Sequence, residues 1–378
     1  MKPSTRRWLS TLFIVLTMVI IFIVAFSNNE LQNAWEVLFT LRIEWVLAAL
    51  AGWFGYLFFD GMCLYQFLRK QGHHVSIGYA VFAALEGFYY SNITPGSSGG
   101  QPMQIYYMKK RGIPVGVGTS AVSFKFLCTQ FMMVAVAGVL WLCNIDFVNT
   151  QLAGVKWIVV LGMIINGAAV PLMLMLAFCR SVVQSICNFF IRVGAKLRFI
   201  KNRELAEMRM TSTLDAYHSS ILAIAKHPWQ IVLQMLNALL SVLCLHAVSV
   251  CVYYAFGMEG VPWYQIMTVA SLLFLAVSYT PLPGASGAQE GGFLVFYKNI
   301  FTSGTIGLGL LIWRFFTYYL FLLVGGLVSI ISNLKGSKPK AEELAQIEQE
   351  SAEAVQTQLE DAPADEAPAP LGAEEETI

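Results

Sequence analysis

Apolar stretches long enough to cross a bilayer recur along the chain at 8–26, 45–67, 115–143, 156–177, 229–256 and 304–331. A span needs about 20 such residues, so these stretches predict six transmembrane helices. Two further apolar stretches, 75–108 and 261–297, are each broken near the middle by Pro and Gly. The breaks share a pattern, P-G-x-S-G-x-Q. It runs from Pro95 through Gly96, Ser97, Ser98, Gly99 and Gly100 to Gln101, and from Pro283 through Gly284, Ala285, Ser286, Gly287 and Ala288 to Gln289. A helix break at membrane depth is tolerated only where the freed backbone groups line a cavity or are buried in protein. Two breaks in corresponding halves point to a binding site at the bilayer midplane.

Loop charge turns this pattern into a topology, because cytoplasmic loops collect Lys and Arg. The segment 28–44 carries Glu30, Glu36 and Glu44 against Arg42 and belongs outside. Basic clusters flank 75–108 on both sides, Arg69, Lys70, His73 and His74 before it and Lys109, Lys110 and Arg111 after it. Its 34 residues are too few for two crossings of about 20 residues and a turn, which predicts a hairpin entering from the cytoplasm. After the outward span 229–256, a cytoplasmic end at Lys335, Lys338 and Lys340 requires the hairpin 261–297 to enter from outside. The expected fold is therefore all-α and polytopic, about six transmembrane helices plus two oppositely oriented re-entrant hairpins in an inverted repeat. The repeats are expected at 1–178 and 228–334, joined by a basic cytoplasmic linker at 179–227. Within it, 181–200 mixes apolar and basic residues at helical spacing, a pattern that fits either a linker helix or a helix lying on the inner leaflet.

Composition supports the membrane class and divides the chain. Hydrophobic residues make up 57% and charged residues 12%, with a mean hydropathy of +0.61, too apolar for a soluble globule. Basic Lys2, Arg6 and Arg7 precede a run of spanning length without a small-residue cleavage site, which predicts a retained helix. The net charge of +1 hides an acidic tail: residues 341–378 hold 12 of the 23 acidic residues and no Lys or Arg. The segment 335–378 is expected to be a disordered cytoplasmic tail. An acidic tail would not attract a polyanion, and no nucleic-acid partner is expected. The seven cysteines have no C-x-x-C spacing and no H-E-x-x-H occurs, so no disulfide framework, metal or cofactor is expected. A phosphate-binding P-loop is also absent.

Two cations fall at equivalent depths. Lys125 lies 30 residues after Pro95 and Arg314 lies 31 after Pro283, each about 15 Å into its span. A cation there costs about 2.5 to 3.5 kcal/mol on insertion scales and should meet an anion. One reading pairs Lys125 with Glu86 and Arg314 with Glu290. The other gives both cations a lipid phosphate, helped by the N–H groups of the half-helices that follow the turns. Ser97, Ser98 and Ser286 would donate to phosphate oxygens, and Gln101 and Gln289 would serve glycerol or amine groups. The two readings are compatible, since a paired cation can be exchanged onto a substrate.

The motif from Asn92 through Thr94 and Pro95 to Gly100, and that from Pro281 to Glu290 ahead of Arg314, resemble the membrane domain of the lysylphosphatidylglycerol synthase family. The resemblance covers about 8–332. It implies a flippase-like protein of the bacterial cytoplasmic membrane with ties to lipid metabolism and antibiotic resistance, and the loop charges put both termini in the cytoplasm. It matches Glu290 and Arg314 to the second motif's acid and the following arginine. The first motif departs: where relatives often carry an acid and then an arginine, this chain has Gln101 and Gln104.

The implied function is translocation of an anionic or aminoacylated phospholipid, or a glycolipid, between leaflets. The family name would be phosphatidylglycerol lysyltransferase, but the soluble domain that uses charged tRNA has no counterpart in the acidic remainder. No transferase activity is expected of the chain alone, and a separate aminoacyl- or glycosyl-transferase would be its partner. A homodimer is compatible with the sequence. A non-transporting lipid-binding or regulatory module stays open. So does an enzyme using the membrane cavity, for which Glu86, Glu290 and the serines have no triad spacing.

Overall fold

A computed structural model describes residues 39–196, 203–302 and 304–335. The expected span 8–26 and the acidic tail beyond Lys335 lie outside the described residues. Every regular element among the described residues is helical. In chain order they are α1 (Ile43–Lys70), α2 (Ile77–Ile93), α3 (Gly100–Lys110), α4 (Val115–Cys143), α5 (Ile145–Gln151), α6 (Lys156–Phe178), α7 (Arg180–Lys196), α8 (Arg203–Ala225), α9 (Pro228–Ala255), α10 (Trp263–Val277), α11 (Ala288–Phe296) and α12 (Ile306–Arg314). The last of these continues through a π turn, Phe315–Tyr319, into α13 (Leu320–Lys335). The described residues up to Gly326 form one compact unit, and the end of α13 from Leu327 is assigned to a second.

Local chemistry fixes the helix ends. Glu44 in the first turn of α1 and Arg69 and Lys70 in its last complement the helix dipole. Ser76 caps α2 by accepting the Tyr79 amide at 3.2 Å. Thr94, extended ahead of Pro95, closes α2, as expected of a residue preceding proline. Pro228 occupies the start of α9, where its missing N–H costs nothing.

Five stretches are long and apolar enough to cross a membrane: α1, α4, Ala153–Phe178 around α6, α9, and Ile306–Ser332 across α12 and α13. These match the five expected spans that fall within the described residues. The arms around the two motifs are shorter, with 17 and 11 residues in α2 and α3 and 15 and 9 in α10 and α11. At 1.5 Å per residue even α2 reaches only about 26 Å, less than a hydrocarbon core of about 30 Å.

The two sequence halves interlock. Helix α1 lies along α9, while α4 packs on both α9 and α10. Gly55 makes the first contact close, since a Cβ there would stand 2.7 Å from Cys244 Sγ. Small residues at such seams let membrane helices approach. Across the same seam the Gln234 amide donates to the Cys63 carbonyl at 2.8 Å. Phe88 of α2 and Phe321 of α13 pack around Tyr56 and Trp53 of α1 in tilted and edge-on pairs, with ring centroids 4.7 to 5.8 Å apart. Each such pair adds about 0.5 to 1.5 kcal/mol beyond area burial.

Candidate functional site

Both motifs build the same turn. Gly96 has φ 58° and ψ 26°, and Gly284 has φ 59° and ψ 21°. The next residues, Ser97 and Ala285, also have positive φ, 55° and 51°. A left-handed non-glycine residue costs about 1 to 2 kcal/mol, and this strain recurs at the same motif position. Ser98 Oγ then donates to the Pro95 carbonyl at 2.9 Å, and Ser286 Oγ to the Pro283 carbonyl at 2.8 Å. Each of these carbonyls also accepts the serine's own N–H, so the motif serines add a second donor to it, while their oxygens still have acceptor capacity.

After the serine the turns diverge. In the first, Thr94 Oγ1 accepts the Gly99 amide at 2.8 Å and donates to the Tyr90 carbonyl at 2.7 Å. In the second, Gly287 takes φ 85° and its amide donates to Glu290 Oε2 at 2.5 Å. The N-terminus of α11 is therefore occupied by the protein's own carboxylate. Pro95, Gly96, Ser97, Ser98 and Gln101 are exposed, whereas Gly100, Ser286, Gln289 and Glu290 are buried.

The tips of the turns touch: the Gly96 amide donates to the Pro281 carbonyl at 3.0 Å. Tyr318, in the π turn, donates to the Asn92 carbonyl at 3.3 Å. Its ring also explains why Gly284 is glycine, because a Cβ there would lie 2.1 Å from Tyr318 Cε2.

Arg314 pairs as the sequence suggested. Its Nε donates to Glu290 Oε1 at 2.5 Å, and a terminal nitrogen donates to the Gly284 carbonyl at 3.2 Å. The guanidinium sits 4.7 Å from the centroid of the Tyr318 ring. One arginine thus ties the turn, the half-helix α11 and the span together. The π turn begins immediately after it, a distortion frequent at functional sites.

Lys125 corrects an expectation. Its hydrogen-bonded carboxylate is Asp60 on α1, at 2.7 Å, and not Glu86. Gln104 is a second neighbour of the ammonium. Its side chain passes over Gly87, where a Cβ would stand 2.2 Å from Nε2, and directs Oε1 to Lys125 Nζ at 3.5 Å. Gln104 thereby packs on α2 at Gly87 and also reaches the ammonium, while Glu86 is wholly buried on α2. Asp60 was missed by sequence reasoning although it announces itself as the only charged residue between Trp45 and Phe67. An isolated ionisable residue in a span is a site candidate by default.

Asp60, Lys125, Glu290 and Arg314 are each at most 8% exposed. Burial of such charges is sustained only by pairing, and removing one partner of a buried pair typically costs 3 to 5 kcal/mol. The two cations belong to separate clusters: among the described residues no hydrogen bond or ion pair joins Lys125 to Arg314. A third polar cluster braces the second turn. Asn166 of α6 donates to the Leu275 carbonyl and to Ser278 Oγ, both at 3.1 Å, and accepts from Gln130 at 2.8 Å. It satisfies a carbonyl freed where α10 ends. No group of three or more His, Cys, Asp or Glu residues suited to a metal ion occurs among the described residues.

Known proteins are similar to this chain along most of its length. A protein of Archaeoglobus fulgidus named UPF0104 membrane protein is 21% identical over 340 residues, which cover 86% of this chain and 97% of that protein. The family described as the lysylphosphatidylglycerol synthase TM region matches residues 8–325. With five long apolar helices among the described residues and that match across most of its length, the chain is a multi-pass membrane protein and belongs to the lysylphosphatidylglycerol synthase TM-region family.

Proposed function

We propose that the protein binds the headgroup of an anionic or aminoacylated phospholipid, or of a glycolipid, at its two turns and carries it between leaflets. In this reading α2–α3 and α10–α11 are re-entrant hairpins that dip from opposite faces and form an inverted repeat. Arms too short to span the hydrocarbon core support it, as do the matched backbone angles of the turns. The observation that carries the reading is the hydrogen bond between Gly96 and Pro281, which joins the two tips. Two hairpins meeting between buried cations is the arrangement in which inverted-repeat transporters hold a substrate at the midplane.

Movement requires that a substrate phosphate compete with a protein carboxylate. At the second turn Arg314 would release Glu290 and take the phosphate, and Glu290 would keep its bond to the Gly287 amide. At the first turn Lys125 would exchange Asp60 for the same kind of ligand, with Gln104 beside it. The lipid's tails would remain in the bilayer throughout. The site's address is the cytoplasmic membrane with both termini inside, on the charge pattern of the loops.

The test is headgroup binding by the full chain, measured by native mass spectrometry with phosphatidylglycerol, lysylphosphatidylglycerol and phosphatidylcholine. Glu290→Gln with Arg314→Gln removes the second pair while leaving hydrogen-bonding groups in place. The double variant should lose about tenfold or more in affinity for the phosphatidylglycerols, the worth of a charge-assisted contact. Unchanged affinity would remove the second turn from the site.

A further inference from the structure

Helix α7 follows the span α6 after a single residue, Cys179, so it starts where that span ends. It carries Arg180, Arg192 and Lys196 and no acidic residue. Among its described side chains the exposed large apolar ones are Ile186 at 43%, Phe189 at 59% and Val193 at 36%. At 100° per residue these three fall within about 60° of one another. Exposed Ser185 and Arg192 occupy the adjoining sector, and buried Ile191 points the other way, into the protein. Arg180 pins the start of α7 to α8 through Asp215 at 2.5 Å.

The helix thus has three sectors: one against the protein, one apolar and open, one basic and open. A soluble linker has no use for an open apolar stripe flanked by a cation, whereas a helix in the plane of a membrane surface needs that order. We propose that α7 lies in the leaflet at which α6 ends, with Ile186, Phe189 and Val193 among the acyl chains and Arg192 against the phosphates of anionic lipids. Charge complementarity selects the occupant, because the open sector offers the Arg192 cation and α7 carries no acid. The interaction is independent of whether the turns carry a lipid across.

The experiment uses the full chain in vesicles of phosphatidylcholine with about a third phosphatidylglycerol, a composition that gives the surface a negative potential. One lipid at a time carries a diazirine in its acyl chain, and labelled residues are mapped by mass spectrometry. Ile164, an exposed residue of α6, reports that labelling works. The phosphatidylglycerol probe should label Ile186, Phe189 and Val193 several-fold more than the phosphatidylcholine probe. Arg192→Gln should reduce that preference about fivefold, the worth of one cation at a charged surface.

Equal labelling by the two probes, or none on α7 while Ile164 is labelled, would overturn the proposal. Labelling that arises only after removal of 341–378 would also overturn it, since the acidic segment would then be the occupant.

Discussion

The Gly96 amide and the Pro281 carbonyl meet at 3.0 Å, bonding two turns whose motifs lie 188 positions apart. Each turn needs a left-handed glycine, but the surroundings differ. Space beside Gly96 is open, whereas Gly284 lies against the Tyr318 ring. Gly96→Ala should cost about 1 to 2 kcal/mol, the left-handed penalty alone. Gly284→Ala should cost clearly more, because the ring must also move. Unfolding of the two variants in detergent, compared with wild type, measures the difference; equal losses would mean that Tyr318 does not press on the turn.

Asp60 and Lys125 should behave as a unit. Asp60→Asn alone leaves a buried ammonium without its carboxylate and is expected to destabilise by about 3 to 5 kcal/mol. Adding Lys125→Gln restores a neutral hydrogen-bonded pair and should recover most of that loss. A double-mutant cycle on unfolding checks this, and purely additive effects would contradict the pairing.

Asn166 holds the end of α10 through Leu275 and Ser278 and meets Gln130. Interhelical hydrogen bonds in membranes average about 0.6 kcal/mol each. Asn166→Leu should therefore cost roughly 2 kcal/mol and increase proteolytic cleavage near Pro281, where the turn loses its brace. A stable variant with an unchanged cleavage pattern would assign the turn's rigidity elsewhere.

His218 of α8 gives a pH dependence outside the spans. Burial lowers its pKa below the ordinary 6.5, and the nearby Arg180 charge lowers it further, against an opposing effect of Asp215. A base whose folded pKa is depressed is charged more readily in the unfolded chain. Its contribution to stability is present above about pH 6.5 and is lost as pH falls from there towards the folded value. The thermal midpoint should drop on acidification from pH 7.5 to pH 5, and His218→Gln should flatten the drop.

Much of this arrangement could be read from the chain. Apolar length located the spans, with Val115–Cys143 matching residue for residue, because bilayer thickness leaves little choice. Proline and glycine located both turns, and the pair of Arg314 with Glu290 followed from charges isolated in apolar sequence. What escaped was tertiary. Asp60 lies 65 residues from Lys125, and only the approach of α1 to α4 makes them neighbours. Gln104, which Gly87 admits close to α2, is another side chain that Lys125 meets. Nor could spacing reveal that Gly96 would reach Pro281, or that a π turn would set Tyr318 against Gly284.

Leaflet exchange tests the central claim most directly. Labelled phosphatidylglycerol, lysylphosphatidylglycerol and a glycolipid would be followed in proteoliposomes holding wild type, the double variant Glu290→Gln with Arg314→Gln, and the double variant Asp60→Asn with Lys125→Gln. Headgroup-selective exchange by wild type, lost in both folded double variants, is the predicted result. No exchange of any of these lipids by folded wild type, or exchange that survives in both variants, would contradict it.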